Sequence, residues 1–120
     1  MRYNYSQGDD ASEITVLQLP KFKIEATEIV GAEGIEAVAT YLIEHPEAGD
    51  VIPGSGGVRK LRWAAKGKGK RSGARIIYLY VTIFARIYLL RCFAKNVKTD
   101  LTAAETKELR NLAVYLKGVH

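Results

Sequence analysis

The residues of this chain best placed to do chemistry are its lysines and arginines, and they stand close together. Lys60 and Arg62 are two apart, so in an extended segment both side chains leave the same face. Arg75 opens the next apolar segment, and Lys95 and Lys98 follow the one after it. If three such segments pair in order as strands, these ends converge at one edge of a sheet, beside the cationic string Lys66, Lys68, Lys70 and Arg71. Ammonium and guanidinium groups gathered in this way can surround a phosphate, the planar guanidinium gripping two oxygens at once. Tyr78, Tyr80 and Phe93 lie in the same segments and offer rings for base stacking, the alternative being plain core packing. Arg59 joins the basic set, with ion pairing to acids of the first half as the alternative for it and for Arg75.

Other chemistries lack their residues. The glycine clusters at 54–57 and 67–73 do not fit the G-x-x-x-x-G-K-[ST] spacing of a nucleotide-binding loop. His120 is terminal, and His45, beside Pro46, suits a cation at a helix C-terminus better than a catalyst. Cys92 sits in an apolar segment as a small hydrophobe, and a single cysteine forms no internal disulfide. With Cys92, His45 and His120 as the only soft ligands, a structural zinc site is excluded, and neither metal nor cofactor is expected.

The charge distribution supports a polyanionic partner. Residues 1–50 hold ten acids and three bases, residues 51–99 hold twelve bases and no acid, and residues 100–120 hold three of each. A basic block of that length without one carboxylate is expected to meet phosphate rather than only water. With 120 residues, 48% of them apolar, the chain reads as one domain over 13–120 behind a flexible lead-in, 1–12. No apolar run approaches 18 residues and no signal pattern opens the chain, so a cytoplasmic protein without a membrane segment is expected.

These residues need elements to hold them. Residues 13–19 alternate as a short strand, and 21–30, behind Pro20, reads as a helix. Ile35, Val38, Ala39, Leu42 and Ile43 mark one face of a helix over 33–45, stopped by Pro46. A turn-rich connector (DVIPGSGG) leads to a strand over 58–64, and strands follow over 74–84 and 87–93 with a tight hairpin at Ala85 and Arg86. Thr102 and Glu105 form a capping box for a last helix, with Leu109, Leu112, Ala113 and Leu116 on one face. The class is α+β: helices first, a small twisted antiparallel sheet, then a closing helix.

The strings GDVIPGSGGVRKLRW, GKGKRSGARIIY and FAKN, within a match from about Glu13 to Leu116, closely resemble the RelE/ParE superfamily of type II toxins, in its HigB/RelE-like branch. The resemblance implies helices packed on a small antiparallel sheet, a cognate antitoxin, and toxicity by mRNA cleavage on the ribosome. By motif position it implies catalytic roles for Lys60, Arg62, Arg75 and Lys95; from their charge and rings, Arg59, Lys66, Lys68, Lys70, Arg71, Lys98, Tyr78 and Phe93 are expected to contact RNA or ribosome. Two positions depart from the RelE pattern: Asn96 stands where an arginine is usual, and Thr102 stands near the place of a tyrosine. Such a basic set suits metal-independent cleavage, in which cations stabilise the phosphoryl charge. Two alternatives remain at this point, a ParE-like gyrase poison and a non-catalytic module that occludes the ribosome.

Overall fold

The computed structural model describes residues 2–6, 13–65, 73–98 and 100–118, with backbone alone for 2–6. Helix α1 (Pro20–Ile29) begins at its proline, where a missing N–H costs nothing, and buries Phe22 and Ala26. Helix α2 (Gly31–Glu44) buries the five apolar residues whose spacing announced it: Ile35, Val38, Ala39, Leu42 and Ile43. Helix α3 (Ala103–Lys117) starts at the expected capping box, Glu105 N–H donating to Thr102 Oγ1 at 3.1 Å and Thr102 N–H to Glu105 Oε1 at 2.8 Å. It buries Leu109, Ala113 and Leu116, while Leu112 is only half-buried.

Strands β1 (Arg2–Ser6), β2 (Glu13–Gln18), β3 (Asp50–Val51), β4 (Arg59–Trp63), β5 (Ala74–Val81) and β6 (Arg86–Ala94) form one sheet in the order β1-β2-β6-β5-β4-β3. The three basic segments do pair in sequence, β4 with β5 and β5 with β6, both antiparallel. Arg62 stands opposite Arg75, and Arg75 opposite Phe93. The expectation of a purely antiparallel sheet is corrected at one place: β2 pairs with β6 in parallel, Val16 beside Ile87. Residues 2–6, expected within the lead-in, form a strand against β2. The β5–β6 hairpin also turns earlier than expected. A short 3-10 turn over Thr82–Phe84 ends β5 at Val81, and Ala85 takes the left-handed conformation (φ 49°) usually given to glycine or asparagine. With alanine there, no turn dipeptide marked the hairpin.

The helices lie on both faces of the sheet. On one face α1 and α2 close over Val16, Ala74, Ile76, Tyr78, Ile87, Leu89 and Cys92. On the other α3 closes over Val58, Ile77, Leu79, Val81, Leu90 and Phe93. Strand β5 is therefore buried on both sides along almost its whole length. Glu25 of α1 ties the first face together: Arg91 donates to its two oxygens at 2.9 and 2.7 Å, and the Cys92 N–H donates at 3.0 Å. Cys92 is buried beneath, and burial pushes its thiol up to about 12, so it stays protonated and serves packing.

Candidate functional site

Helix α3 covers only part of its face of the sheet. Beyond that apolar patch, Lys60, Arg62 and Arg75 stand where Val58, Ile77 and Leu79 would lead the eye next along β4 and β5. The turn after β6 adds Lys95, fixed by its N–H donating to the Gly73 carbonyl at 2.9 Å. Lys60, Arg62, Arg75 and Lys95 line one open cavity of about 620 Å³, together with Ala48, Asp50, Leu61 and Asp100. Strand pairing alone places the first three; the turn after β6 brings the fourth.

Arg75 is the unusual member. The residue is 5% exposed, and its guanidinium makes one long contact, 3.4 Å to the carbonyl of its neighbour Ala74. Arg62, Arg75 and Lys95 form no ion pair with any described residue. A buried cation without a bound carboxylate is expensive to hold, and an anion entering the cavity relieves that cost. Lys60 is different: its Nζ lies 2.8 Å from Asp100 Oδ1, and this hydrogen bond holds the Asp100 carboxyl below the usual range. Asp50 and Asp100 were passed over in the sequence because they only bound the acid-free block, yet both face the cavity. The signal was their position immediately outside residues 51–99.

The peripheral candidates separate from this group. Arg59 points away and donates to the Gly49 and Glu47 carbonyls at 2.7 and 3.1 Å, with the Glu47 carboxylate 3.9 Å away. It secures the connector before β4, which matches the alternative of ion pairing with an acid of the first half. Lys98 Nζ donates to both oxygens of Glu105 and, with the Thr102 N–H, holds that carboxyl down to about 2; it also sits 5.4 Å from the Phe93 ring. It ties the turn after β6 to the start of α3. Lys66, Lys68, Lys70 and Arg71 lie outside the described residues.

The aromatic expectations also need correction. Tyr78 is wholly buried; its hydroxyl donates to the Pro46 carbonyl and accepts from the Gly49 N–H, each at 2.9 Å. Burial raises its phenol above the ordinary value, the Gly49 hydrogen bond acting the other way, so it remains neutral. Phe93 is buried under α3. Neither ring can receive a base, because helices cover both faces of the sheet at these positions. Gly49 is part of the same arrangement: a Cβ there would stand 2.9 Å from both the Lys60 carbonyl and the Tyr78 ring, so only glycine lets the connector approach β4.

Tyr78→Phe tests this assignment. It strands the Gly49 N–H and the Pro46 carbonyl without their partner, and should cost about 1–3 kcal/mol. For a domain of this size that is a fall in Tm of roughly 4 °C per kcal/mol, read by thermal melting. A variant as stable as the parent would show that the hydroxyl is not holding the connector.

Among the described residues no group of three or more His, Cys, Asp or Glu side chains is placed to hold a metal, and no helix is long and apolar enough to cross a membrane. The arrangement is suited to binding a phosphate and to stabilising charge that develops on it. Residues 23–120 match the family model described as the RelE toxin of the RelE / RelB toxin-antitoxin system.

Proposed function

Because the chain belongs to the RelE toxin family, the toxin half of a toxin–antitoxin pair, we propose that it is an endoribonuclease that cuts mRNA on the ribosome and so halts translation in the cytoplasm. The observation that carries this reading is the meeting of Lys60, Arg62, Arg75 and Lys95 in one cavity, with Arg75 buried and free of any carboxylate bond. That set serves a reaction within the RNA itself. The 2′-oxygen attacks the adjacent phosphorus, its proton leaves, and the bond to the 5′-oxygen breaks as that oxygen takes up a proton. The products are a cyclic phosphate and a 5′-hydroxyl.

Arg75 is suited to grip the two non-bridging oxygens, where charge builds as the fifth oxygen approaches. Arg62, directly opposite it in the sheet, adds a second guanidinium from the open side. Arginine does not release a proton at working pH, so proton exchange falls to Lys60 and Lys95. Asp100 holds the Lys60 ammonium at the cavity wall and leaves Lys95 as the cavity lysine whose ammonium has no ion pair with a described residue. The carboxylates at the rim, Asp50 and Asp100, repel a phosphate that enters off-centre.

The partner antitoxin that the family implies would neutralise the chain by covering this cavity with an acidic segment that orders on binding. Primer extension on an mRNA under translation tests the nuclease reading. The unmutated chain should produce new 5′ ends within the message, only when ribosomes occupy it, and should do so in EDTA wherever the ribosomes survive chelation. An intact message on halted ribosomes would replace the nuclease by an occluding module. Intact message with arrested gyrase would replace it by the ParE-like activity.

A further inference from the structure

The rings expected to stack bases are buried, but two other rings lie on the α2 side of β4, around the strand edge from the cavity. Tyr41 on α2 is 37% exposed and Trp63 at the end of β4 is half-buried, their centroids 5.5 Å apart with planes tilted by 58°. They line a smaller hollow of about 380 Å³ with Leu61, Arg62 and Ala64. Leu61 and Arg62 also line the cationic cavity, so the two spaces adjoin along one stretch of β4. That stretch is accessible: β3 pairs only with Arg59 and Lys60, and β4 beyond Lys60 has no further strand on that side among the described residues.

We propose that Tyr41 and Trp63 form a base-binding subsite of single-stranded RNA, next to the phosphate held in the cationic cavity. The proposal rests on the nuclease reading of that cavity and extends it to a neighbouring nucleotide. Charge fixes the orientation. Arg62 faces the side where the sugar–phosphate chain would pass, whereas Glu33, Glu36 and Glu44 border the same two rings on the far side. A phosphate is repelled from those carboxylates, and a neutral base is not. Each base has a π-face, so one aromatic ring at a fixed distance from the reacting phosphate positions the strand whatever its sequence.

Trp63 is the single tryptophan of the chain, so its fluorescence reports on this ledge alone. The full chain is titrated with a short 2′-O-methyl oligoadenylate, which lacks the attacking hydroxyl, and with an abasic strand of equal length. The base-bearing strand should quench Trp63 saturably and the abasic strand should not. Tyr41→Ala should weaken the quenching titration about tenfold, the effect of losing one base–aromatic stack. On programmed ribosomes Trp63→Leu should slow cleavage by a similar factor and Trp63→Phe should restore it, which separates a stacking ring from a merely structural one. Equal quenching by both strands, or by neither, would overturn the subsite; if Arg75→Ala still abolishes cleavage, the nuclease reading survives that failure. Quenching by the oligoadenylate in a chain that cuts no mRNA would keep the subsite and remove the nuclease. A response to the antitoxin but not to RNA would overturn the proposal in favour of a protein-binding surface.

Discussion

Arg75→Ala is expected to slow single-turnover cleavage on programmed ribosomes by about a hundred- to a thousandfold, the usual consequence of removing one preorganised donor from a charged transition state. The expectation follows from where Arg75 sits. It is 5% exposed, backed by its strand and opposite Arg62, and it forms no ion pair with a described carboxylate. Its charge is held in place before the substrate arrives, so little reorganisation is needed when the phosphoryl oxygens become more negative. The same placement predicts that the alanine variant folds, because no ion pair is lost. Arg75→Lys should recover only part of the rate, since an ammonium cannot grip two oxygens in one plane. Circular dichroism and thermal melting establish that each variant is folded. Near-parental cleavage by folded Arg75→Ala would place the active centre elsewhere.

Lys95→Ala should cause a loss of similar size, whereas its neighbour should matter little. Lys95 lines the cationic cavity, while Asn96 borders a different hollow with Ile24, Glu25, Glu28 and Cys92 on the α1 side. Adjacent residues thus face opposite sides of the sheet end, and the comparison controls for disturbance of the turn itself. If Lys95 carries a proton as well as a charge, Lys95→Arg will keep substrate binding but not rate. The single-turnover rate of each variant at saturating ribosomes separates the two. A large loss in Asn96→Ala with an active Lys95→Ala would show that the turn, not the ammonium, is what counts.

The local part of this structure was legible because it depends on neighbours in sequence. Period and capping residues located α2 and α3, and the i, i+2 spacing of Lys60 and Arg62 placed both on one face. Pairing of β4, β5 and β6 in order then brought Arg75 to them, as consecutive strands usually do. The partners were not legible. Four of the bases in the acid-free block are held by acids outside it: Arg59 by Glu47, Lys60 by Asp100, Arg91 by Glu25 and Lys98 by Glu105. Counting charge along a chain shows where cations are concentrated but not which are spoken for across the fold. Tyr78 and Phe93 were misread for a related reason. Alternation tells which face a ring occupies but not what covers it: α1 and α2 close over Tyr78, and α3 closes over Phe93. The proximity of Tyr41 and Trp63 was not legible because the two rings stand 22 positions apart on different elements.

The parallel contact between β2 and β6 has a consequence for how the toxin comes into being. Thr15 lies beside Arg86, so the sheet is closed by joining chain segments about 70 residues apart. Such distant closure is slow relative to helix or hairpin formation, since the entropy of the intervening loop is lost before the contact is made. During synthesis β2 leaves the ribosome early and has no neighbour to its inner side until β6 has followed it. Lys60, Arg62 and Arg75 are by then already made, but the turn bearing Lys95 comes after β6 and the frame that aligns all four comes with it. A chain cut before residue 86 lacks both β6 and Lys95, so on the proposed reading it should not cleave mRNA.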